Sequence, residues 1–437
     1  MFEPDSIRIV SVAAFVILFA LGMIRPVWAP VAYMILVYCK LSSYYPVFGA
    51  MKAELLFAVI IVARILLTGD GFAKLSARYN ALNKYLYVFV ICVFISFAIA
   101  WDRQYSWDNA VYHFIKVLIL YIMILIAIDN QHDFKIFVWS FLTMFAYLAY
   151  EPTYGFITGT GGGQYMYGVN YIASIGILSG HVALANNMNQ MIPIAFYLIF
   201  SIKKRSLIII GTIPLFIFVT ALVGSGSRGG IVGFAMFCLC LVYFSKNRLK
   251  TSIVVGIISI FVFIGSGQFS STMKRIDKSS TKGRLIGLTH GIEMIKRGNV
   301  LGVGPGCFLF ARRQYFSYRM EAHNIYGQVF GDLGIPGTIA WLFLILQIFR
   351  NIIAAKDTLK ALHMEKDFLY KLAMGVQVSL IVRLFISMAS HGLYYFYWYI
   401  MAAFSIILSK LVEDISENKL QEQNLIAEKQ LGKYQPQ

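Results

Sequence analysis

The feature that most constrains the fold is a series of apolar runs that recurs along the whole chain. Each run has about 17–25 residues, the length that an α-helix needs to cross roughly 30 Å of hydrocarbon. Of the 437 residues, 59% are hydrophobic and 14% are charged, against about 25% charged in a soluble domain. The runs do not alternate apolar and polar residues as the strands of a membrane barrel do. The sequence therefore predicts an all-α polytopic membrane protein.

The number of runs predicts 12–13 transmembrane helices. Because the second and third runs are short, twelve is as acceptable as thirteen. The thirteen candidate spans lie at about 7–24, 26–42, 53–68, 83–100, 108–128, 132–150, 187–202, 206–223, 229–244, 250–266, 333–352, 370–388 and 393–412.

Basic residues in the short loops give the predicted orientation, since Lys and Arg concentrate in cytoplasmic loops. The basic loops at 74–84, 203–205, 246–250 and 350–371 are placed in the cytoplasm. A loop of more than about 60 residues escapes this rule. A long basic segment can therefore lie outside. The external regions are then 101–108, 151–186, 224–228, 267–332 and 389–392.

The spans and loops divide the chain into four regions. Residues 1–266 hold the first ten helices and the external loop 151–186, which is glycine-rich and is expected to form a flexible lid or a re-entrant turn. Residues 267–332 form a large external loop, and residues 333–412 hold the final helices. Residues 413–437 form a polar tail that is placed in the cytoplasm.

The external segment 267–332 is the one long part of the chain that is too polar to be buried in lipid. Attraction between cytoplasmic loops and anionic lipid does not explain its charge. No soluble domain or nucleic-acid motif holds the excess, so nucleic acid is not an expected partner. Against four acids, the segment carries ten cations: Lys274, Arg275, Lys278, Lys282, Arg284, Lys296, Arg297, Arg312, Arg313 and Arg319.

Two short helices are predicted inside this segment. The first covers Arg284 to Arg297 and is too short to cross a bilayer, so we expect it to lie along the outer surface of the membrane. The second covers roughly Leu309 to Met320. The apolar face of the first helix is formed by Leu285, Leu288, Ile292 and Ile295.

Arg228 is a candidate anion-binding residue because of its setting in Gly224-Ser-Gly-Ser-Arg-Gly-Gly230, at the external ends of two spans. Glycine allows close approach to the backbone, and free N–H groups at a helix start favour anions. Arginine can grip a phosphate with two hydrogen bonds. The alternative is an interfacial arginine that extends to lipid headgroups.

His323 is the candidate general base. An imidazole titrates near neutral pH and can accept a proton from a hydroxyl group. Glu321 precedes His323, and Arg319 lies four residues earlier, which is one turn away if the chain is helical there. The alternative is a solvated histidine that bonds to a backbone carbonyl. His391, in Ser390-His-Gly392, is a weaker external candidate.

Other cations complete the predicted substrate site. Arg284 begins the first amphipathic helix, and Arg312, Arg313 and Arg319 lie within the second. Each can also be read as an ordinary loop cation.

Two further cations lie within predicted spans. An arginine within a membrane span is costly and is usually functional, so Arg383 is expected to face a cavity in the outer half of the bilayer. Lys116 is placed similarly in the fifth span. Both are candidates to line a path for a lipid-linked anion.

A metal ion or cofactor is not expected. The external loops contain no Asp-x-Asp pair and no carboxylate cluster, the usual ligands of a cation that bridges a diphosphate. The five cysteines are scattered and do not form a zinc-site pattern. Arginine and lysine would then stabilise a diphosphate leaving group by electrostatics alone.

Three stretches resemble the O-antigen ligase family, within a group that includes O-antigen polymerases and bacterial protein O-oligosaccharyltransferases. Order and spacing match from about residue 185 to 410. The stretches are Gly224–Gly230, Arg275-Ile-Asp277 through Gly283-Arg284 to Val300-Leu-Gly-Val-Gly-Pro-Gly306, and Ala322-His-Asn-Ile-Tyr-Gly-Gln-Val-Phe-Gly-Asp-Leu-Gly-Ile-Pro-Gly337.

The resemblance implies an inverting, metal-independent glycosyltransferase with a C-type (GT-C) membrane fold, in the bacterial inner membrane and active at the periplasmic face. The donor would be a glycan on undecaprenyl diphosphate, and the acceptor a lipid A–core sugar or another glycan. By the same resemblance, Arg228 and Arg284 would bind the diphosphate, and His323 would activate the acceptor hydroxyl.

Several alternatives remain open at this point. A polymerase would use the sugar end of another lipid-linked chain as acceptor, and a protein ligase would use Ser or Thr. A transporter of lipid-linked glycans would contain internal repeats and interrupted helices, and no repeat is evident. A scaffold protein would use the cationic loop only to bind membrane lipids.

Overall fold

The structure is a computed structural model that describes residues 4–50, 52–67, 81–160, 164–166, 169–171, 178, 180–265 and 278–432. Several residues quoted above lie outside the described residues: Lys74, Arg78, Lys274, Arg275, Asp277 and part of the glycine-rich run at 161–163.

The described chain is almost entirely helical. In order, the helices are α1 (Pro4–Ile24), α2 (Trp28–Tyr38), α3 (Leu41–Tyr44), α4 (Pro46–Ala50), α5 (Ala53–Leu67), α6 (Ala81–Ala98), α7 (Arg103–Ser106), a π-helical turn (Trp107–Val111), α8 (Tyr112–Ala127), α9 (Gln131–Thr158), α10 (His181–Ile199), α11 (Arg205–Gly224), α12 (Arg228–Phe244), α13 (Arg248–Gly265), α14 (Lys278–Lys296), α15 (Phe308–Phe316), α16 (Ile325–Ala361), α17 (Phe368–Ile386) and α18 (Phe396–Gly432).

The prediction of an all-α polytopic membrane protein is confirmed. Each predicted span falls on a helix, although the total of twelve or thirteen spans stays a prediction. Three shorter apolar helices occur at Ile9–Ile24, Trp28–Tyr38 and Arg228–Phe244. Among the described residues, six helices are long and apolar enough to cross a membrane: Ala81–Ala98, Arg103–Ala127, Arg205–Gly224, Ile325–Ala361, Phe368–Ile386 and Phe396–Leu425.

The last two helices, α17 and α18, lie in the core. The apolar residues of α17 are distributed around the whole helix, which is typical of a helix surrounded by others. It packs against α10, α12 and α16. Aromatic rings fill the contacts of α18, where Phe404 meets Phe134, Phe137 and Phe141 edge to face. These two helices form a rigid base for the loop 387–395 that joins them.

Helix α16 begins earlier than predicted and bends where the predicted span begins. Residues 325–332, expected in the loop, are helical, and the backbone breaks at Gly334, where φ is +64°. A β-carbon on Gly334 would overlap the carbonyl oxygen of Val300, and the N–H of Ile335 donates to that oxygen at 2.9 Å. The break lets the backbone of Val300 pack directly against the helix at Gly334.

Helix α14 crosses the first turns of α16 through glycines on both helices. A β-carbon on Gly291 would overlap the carbonyl oxygen of Gly327, and one on Gly327 would overlap that of Gly287. The packed face of α14 therefore holds Gly287, Gly291 and Met294, whereas Leu285 on the predicted apolar face is 63% exposed. The face that packs on α16 is formed by small residues, which hydropathy does not register as contact residues, and the expectation that the predicted apolar face lies against the membrane surface stays a prediction.

Two other local predictions are corrected by the structure. Helix α15 ends at Phe316, because Ser317 adopts a left-handed backbone conformation with φ +54°. Arg319 and His323 therefore do not lie one helical turn apart. In the loop 151–186, α9 continues to Thr158, and an antiparallel hairpin pairs Gln164–Met166 with Val169–Tyr171. Part of that loop is thus ordered secondary structure rather than a flexible lid.

Candidate active site

Arg228 is the first residue of α12, and the serines before it shape that helix start. The Ser227 hydroxyl accepts a hydrogen bond from Gly230 N at 3.2 Å and so caps the helix. Gly226 makes the preceding turn with φ +63°. The side chain of Arg228 is exposed. Gly230 packs tightly against Ala185, so this glycine serves helix packing rather than ligand approach.

Arg284 lies in the second turn of α14 and comes close to Arg228. Partial burial lowers the pKa of the Arg284 guanidinium, and the positive charge of Arg228 lowers it further. The two guanidinium groups are 56 residues apart in sequence, and folding places them where they repel each other. Two like charges held together in this way form an attractive site for a multivalent anion such as a diphosphate.

His323 occupies a strained position just before α16, with φ +46°. Its neighbour Asn324 caps the helix: Asn324 Oδ1 accepts from the N–H groups of Tyr326 and Gly327 at 2.9 and 3.2 Å. Asn324 Nδ2 also donates to the carbonyl oxygen of Met388 at 3.1 Å. The exposed imidazole is therefore presented from a backbone that is tied to the loop 387–395.

The electrostatic surroundings keep His323 available as a base. Partial desolvation lowers the pKa of its imidazole, and the positive charges of Arg312 and then Arg284 lower it further. Neutral imidazole is therefore favoured at pH 7, and that form accepts a proton. Arg284 thus lies within electrostatic reach of both Arg228 and His323.

A second histidine lies beside the first. The rings of His323 and His391 are 5.2 Å apart between centroids. Burial, followed by the charges of His323 and Arg383, lowers the pKa of His391 to about 4. His391 is therefore neutral near pH 7, where the neutral imidazole of His323 can accept a proton. The sequence ranked His391 below His323, because a contact between residues 68 positions apart is not visible in the sequence.

Residues 213–342 match the sequence model of a family described as O-Antigen ligase. The resemblance to the O-antigen ligase family is confirmed. The match includes Arg228, Arg284 and His323, and it supports a membrane glycosyltransferase of the O-antigen ligase or polymerase type. No curated protein matches the chain.

Arg312 lies inside the O-antigen ligase match and is fully buried. Its Nε donates to His290 Nδ1 at 3.0 Å, and Nη1 donates to the carbonyl oxygen of Glu321 at 2.9 Å. The ring of Tyr318 lies 4.6 Å from the guanidinium. Arg312 was predicted to contact substrate, but this placement directs it at the backbone that precedes His323. Its positive charge still acts on the imidazole.

Arg383, outside the matched residues, is also buried, with 3% of its surface exposed. The rings of Tyr397 and Trp398 lie 5.9 and 5.4 Å from the guanidinium. The Nε atom has no hydrogen-bond partner. Arg383 is therefore a cation in the last turn of α17 that no carboxylate among the described residues neutralises.

The remaining predicted cations, Lys116, Arg313 and Arg319, are not among the charges that act on His323. Lys116 is buried, forms an ion pair with Glu54 and lies 4.2 Å from the ring centroid of Tyr112. The exposed Arg319 lies over the ring of Phe310 at 5.7 Å. Arg313, which follows the buried Arg312 on α15, is exposed. It lines a cavity of about 430 Å³ with Trp101, Asp102, Phe310 and Gln314.

The sequence assigned no role to the buried carboxylate of Asp332, which holds the glycine-rich loop in place. One oxygen accepts from Gly306 N at 3.0 Å, Gln328 Nε2 at 3.3 Å and Tyr394 Oη at 3.3 Å, and the other accepts from Phe308 N at 3.2 Å. Asp332 thereby caps α15, the helix that carries Arg312.

Gln328 extends this network to the loop beyond α17. Its Oε1 accepts from the N–H groups of Gly392 and Leu393 at 3.0 and 3.2 Å. The Gln328–Asp332 pair therefore connects the loop before α15 to the loop that contains His391. The i, i+4 spacing of these two polar residues would have revealed the pair, had residues 325–333 been read as a helix.

Glu321 has a carboxyl group whose pKa is raised to about 7 by burial, an effect that Arg312 partly offsets. It precedes His323 by two residues and is half-buried. A carboxyl group that exchanges protons near neutral pH can support an acid–base site. The sequence noted its position but did not assign it a role.

Proposed function

We propose that this protein transfers a glycan from undecaprenyl diphosphate to a lipid A–core sugar at the periplasmic face of the bacterial inner membrane. One observation carries the proposal. Arg228, Arg284 and His323 come from three separate elements, and each is within electrostatic reach of the next. The O-antigen ligase match supplies the class of reaction. The lipid A–core acceptor is the finer part of the proposal.

In the proposed step, the neutral imidazole of His323 accepts the proton of the acceptor hydroxyl. The hydroxyl oxygen forms a bond to the anomeric carbon of the donor glycan as the bond from that carbon to the diphosphate oxygen breaks. The leaving oxygen keeps the electron pair, and undecaprenyl diphosphate departs from the opposite face, so the anomeric configuration inverts.

Arg228 and Arg284 would stabilise the charge that develops on the leaving diphosphate. Their mutual repulsion in the free protein is relieved when the dianionic group enters between them. Such stabilisation is larger in the transition state than in the ground state, since the leaving oxygen gains charge as the bond breaks. The proposal includes no metal ion or cofactor.

The test is transfer in membrane vesicles supplied with a defined undecaprenyl-diphosphate glycan and lipid A–core. His323→Ala should lower the rate by roughly 10²–10⁴-fold, as for loss of a general base. Arg228→Ala and Arg284→Ala should each lower it by roughly 10²–10³-fold, as for loss of a charge-stabilising donor. Matched controls are His132→Ala and Arg350→Ala, at exposed positions on the opposite side of the predicted topology.

The product decides among the related reactions. A glycan on lipid A–core supports the ligase proposal, whereas longer lipid-linked chains indicate a polymerase, and glycosylated Ser or Thr indicates a protein ligase. Movement of the donor across the membrane without a new glycosidic bond would indicate a transporter. Near-normal transfer by both His323→Ala and Arg228→Ala would refute the assignment of the site.

A further inference from the structure

Arg383 is a buried cation that requires an anion. Its side chain is 3% exposed, and its Nε lacks a hydrogen-bond partner. Among the described residues, no carboxylate pairs with it, and its surroundings are the rings of Tyr397 and Trp398. Aromatic faces attract a guanidinium weakly compared with the cost of removing it from water. An anionic ligand would supply the missing partner.

The neighbouring loop holds this guanidinium next to His391. A β-carbon on Gly392 would lie 3.3 Å from Arg383 Nη2, and Gly392 has a φ of +130°. The backbone of the loop therefore packs on the guanidinium in a conformation that suits glycine. Two hydrogen bonds to Gln328 fix the loop in this position. The guanidinium is thus held between aromatic rings and the backbone of Gly392, the residue that directly follows His391.

The two histidines have different arginine neighbours. The loop that carries His391 packs on Arg383 through Gly392, and the charge of Arg383 acts on His391. The charge of Arg284 acts on His323 instead. The rings of His323 and His391 are 5.2 Å apart between centroids, so Arg383 lies beside the histidine that neighbours His323.

We infer that Arg383, beside His391, binds an anionic group of the acceptor glycan, a carboxylate or a phosphate. The inference rests on the proposed function. An inverting displacement requires the acceptor oxygen and the leaving diphosphate to lie on opposite faces of the anomeric carbon. In the proposed function, Arg228 and Arg284 hold the diphosphate, and His323 takes the proton of the acceptor. We therefore assign the region next to His323, around His391 and Arg383, to the acceptor. The acceptor is therefore acidic close to the hydroxyl that attacks.

The experiment measures transfer kinetics with three acceptors and a single donor. The acceptors are native lipid A–core, the same material with its carboxylates amidated, and the same material with its phosphates removed by aqueous hydrogen fluoride. For the unmodified protein, removal of the recognised group should raise the acceptor KM by about tenfold or more, as for loss of a charged hydrogen bond. Arg383→Gln should abolish that difference and leave the donor KM unchanged.

Arg284→Gln is the matched control, since it should raise the donor KM and retain the preference for the acidic acceptor. Thermal melting of Arg383→Gln and Arg383→Lys establishes that each variant is folded, and Arg383→Lys should retain part of the preference. An unchanged preference in Arg383→Gln, or a raised donor KM, would overturn the inference. Absence of transfer by the unmodified protein would instead refute the proposed function, and the acceptor assignment with it.

An anionic lipid headgroup is the other source of a phosphate, and vesicle composition separates the two. The same assays are run in phosphatidylcholine vesicles with and without phosphatidylglycerol. The acceptor preference should persist in pure phosphatidylcholine. A dependence on phosphatidylglycerol that disappears in Arg383→Gln, with the acceptor preference unaltered, would assign Arg383 to lipid and overturn the inference.

Discussion

Two arginines in this protein are almost equally buried, yet their surroundings differ. Arg312 is 0% exposed and Arg383 is 3% exposed. Arg312 donates hydrogen bonds to His290 and to the carbonyl oxygen of Glu321, whereas Nε of Arg383 has no partner. Each also lies near aromatic rings. Each arginine also has one buried nitrogen without a partner, Nη2 in Arg312 and Nε in Arg383. What distinguishes them is the two hydrogen bonds that Arg312 donates to His290 and to the backbone before His323.

The difference indicates separate tasks for the two residues. Arg312 uses its hydrogen bonds to hold the backbone that leads into His323, so its contribution is to the structure of the site. The Nε atom of Arg383 makes no hydrogen bond within the described protein, so it remains available to a ligand. We therefore propose that the first arginine belongs to the frame of the candidate site and that the second contacts the substrate.

The largest expected effect is on stability, from replacement of each arginine by methionine. Arg312→Met should lower the free energy of unfolding by about 2–4 kcal/mol, because the loop carbonyl and His290 lose their buried donor. Arg383→Met should remain within about 1 kcal/mol of the unmodified protein or exceed it, since a buried cation without a partner is removed. Thermal melting in detergent measures both, without added acceptor. Equal destabilisation by the two substitutions would remove the distinction between them.

A smaller effect on stability should distinguish Gly327, which packs two helices together, from Gly229, which lies beside Arg228. Gly327→Ala places a β-carbon against the backbone of α14 and should cost about 1–3 kcal/mol, as for overpacking. Gly229→Ala meets only the Ser227 hydroxyl at 3.9 Å and should leave the melting temperature nearly unchanged. A melting temperature of Gly327→Ala equal to that of Gly229→Ala would show that the crossing of α14 and α16 is loose.

The smallest expected effect is a change in the titration of His323. Its pKa lies below the ordinary value of 6.5, because of desolvation and then the charges of Arg312 and Arg284. Lower pKa means that the neutral, proton-accepting form persists to lower pH. Arg284→Gln removes one positive charge and should shift the pKa upward, which NMR of labelled histidine measures directly. The control Arg350→Gln should produce no shift, and a downward shift in Arg284→Gln would contradict the arrangement.

Sequence patterns were sufficient for the helical frame, and they named the arginines and the histidine from which the candidate site is proposed. Apolar length predicts helices without knowledge of their partners, and the serine and glycine residues around Arg228 predict a helix start. The patterns were insufficient where two distant segments meet. His391 and the Asp332 network depend on contacts across 60 or more residues, and the face of α14 depends on glycines that hydropathy scales do not score as packing residues.

The central claim is that a diphosphate binds between Arg228 and Arg284, with His323 on the side of the attacking hydroxyl. A cryo-electron microscopy structure of the full chain in a nanodisc with undecaprenyl diphosphate tests it most directly. We predict phosphate oxygens within about 3 Å of both guanidinium groups, with the His323 ring facing the vacant acceptor side. Phosphates bound elsewhere, with Arg228 and Arg284 both turned away from them, would contradict the account.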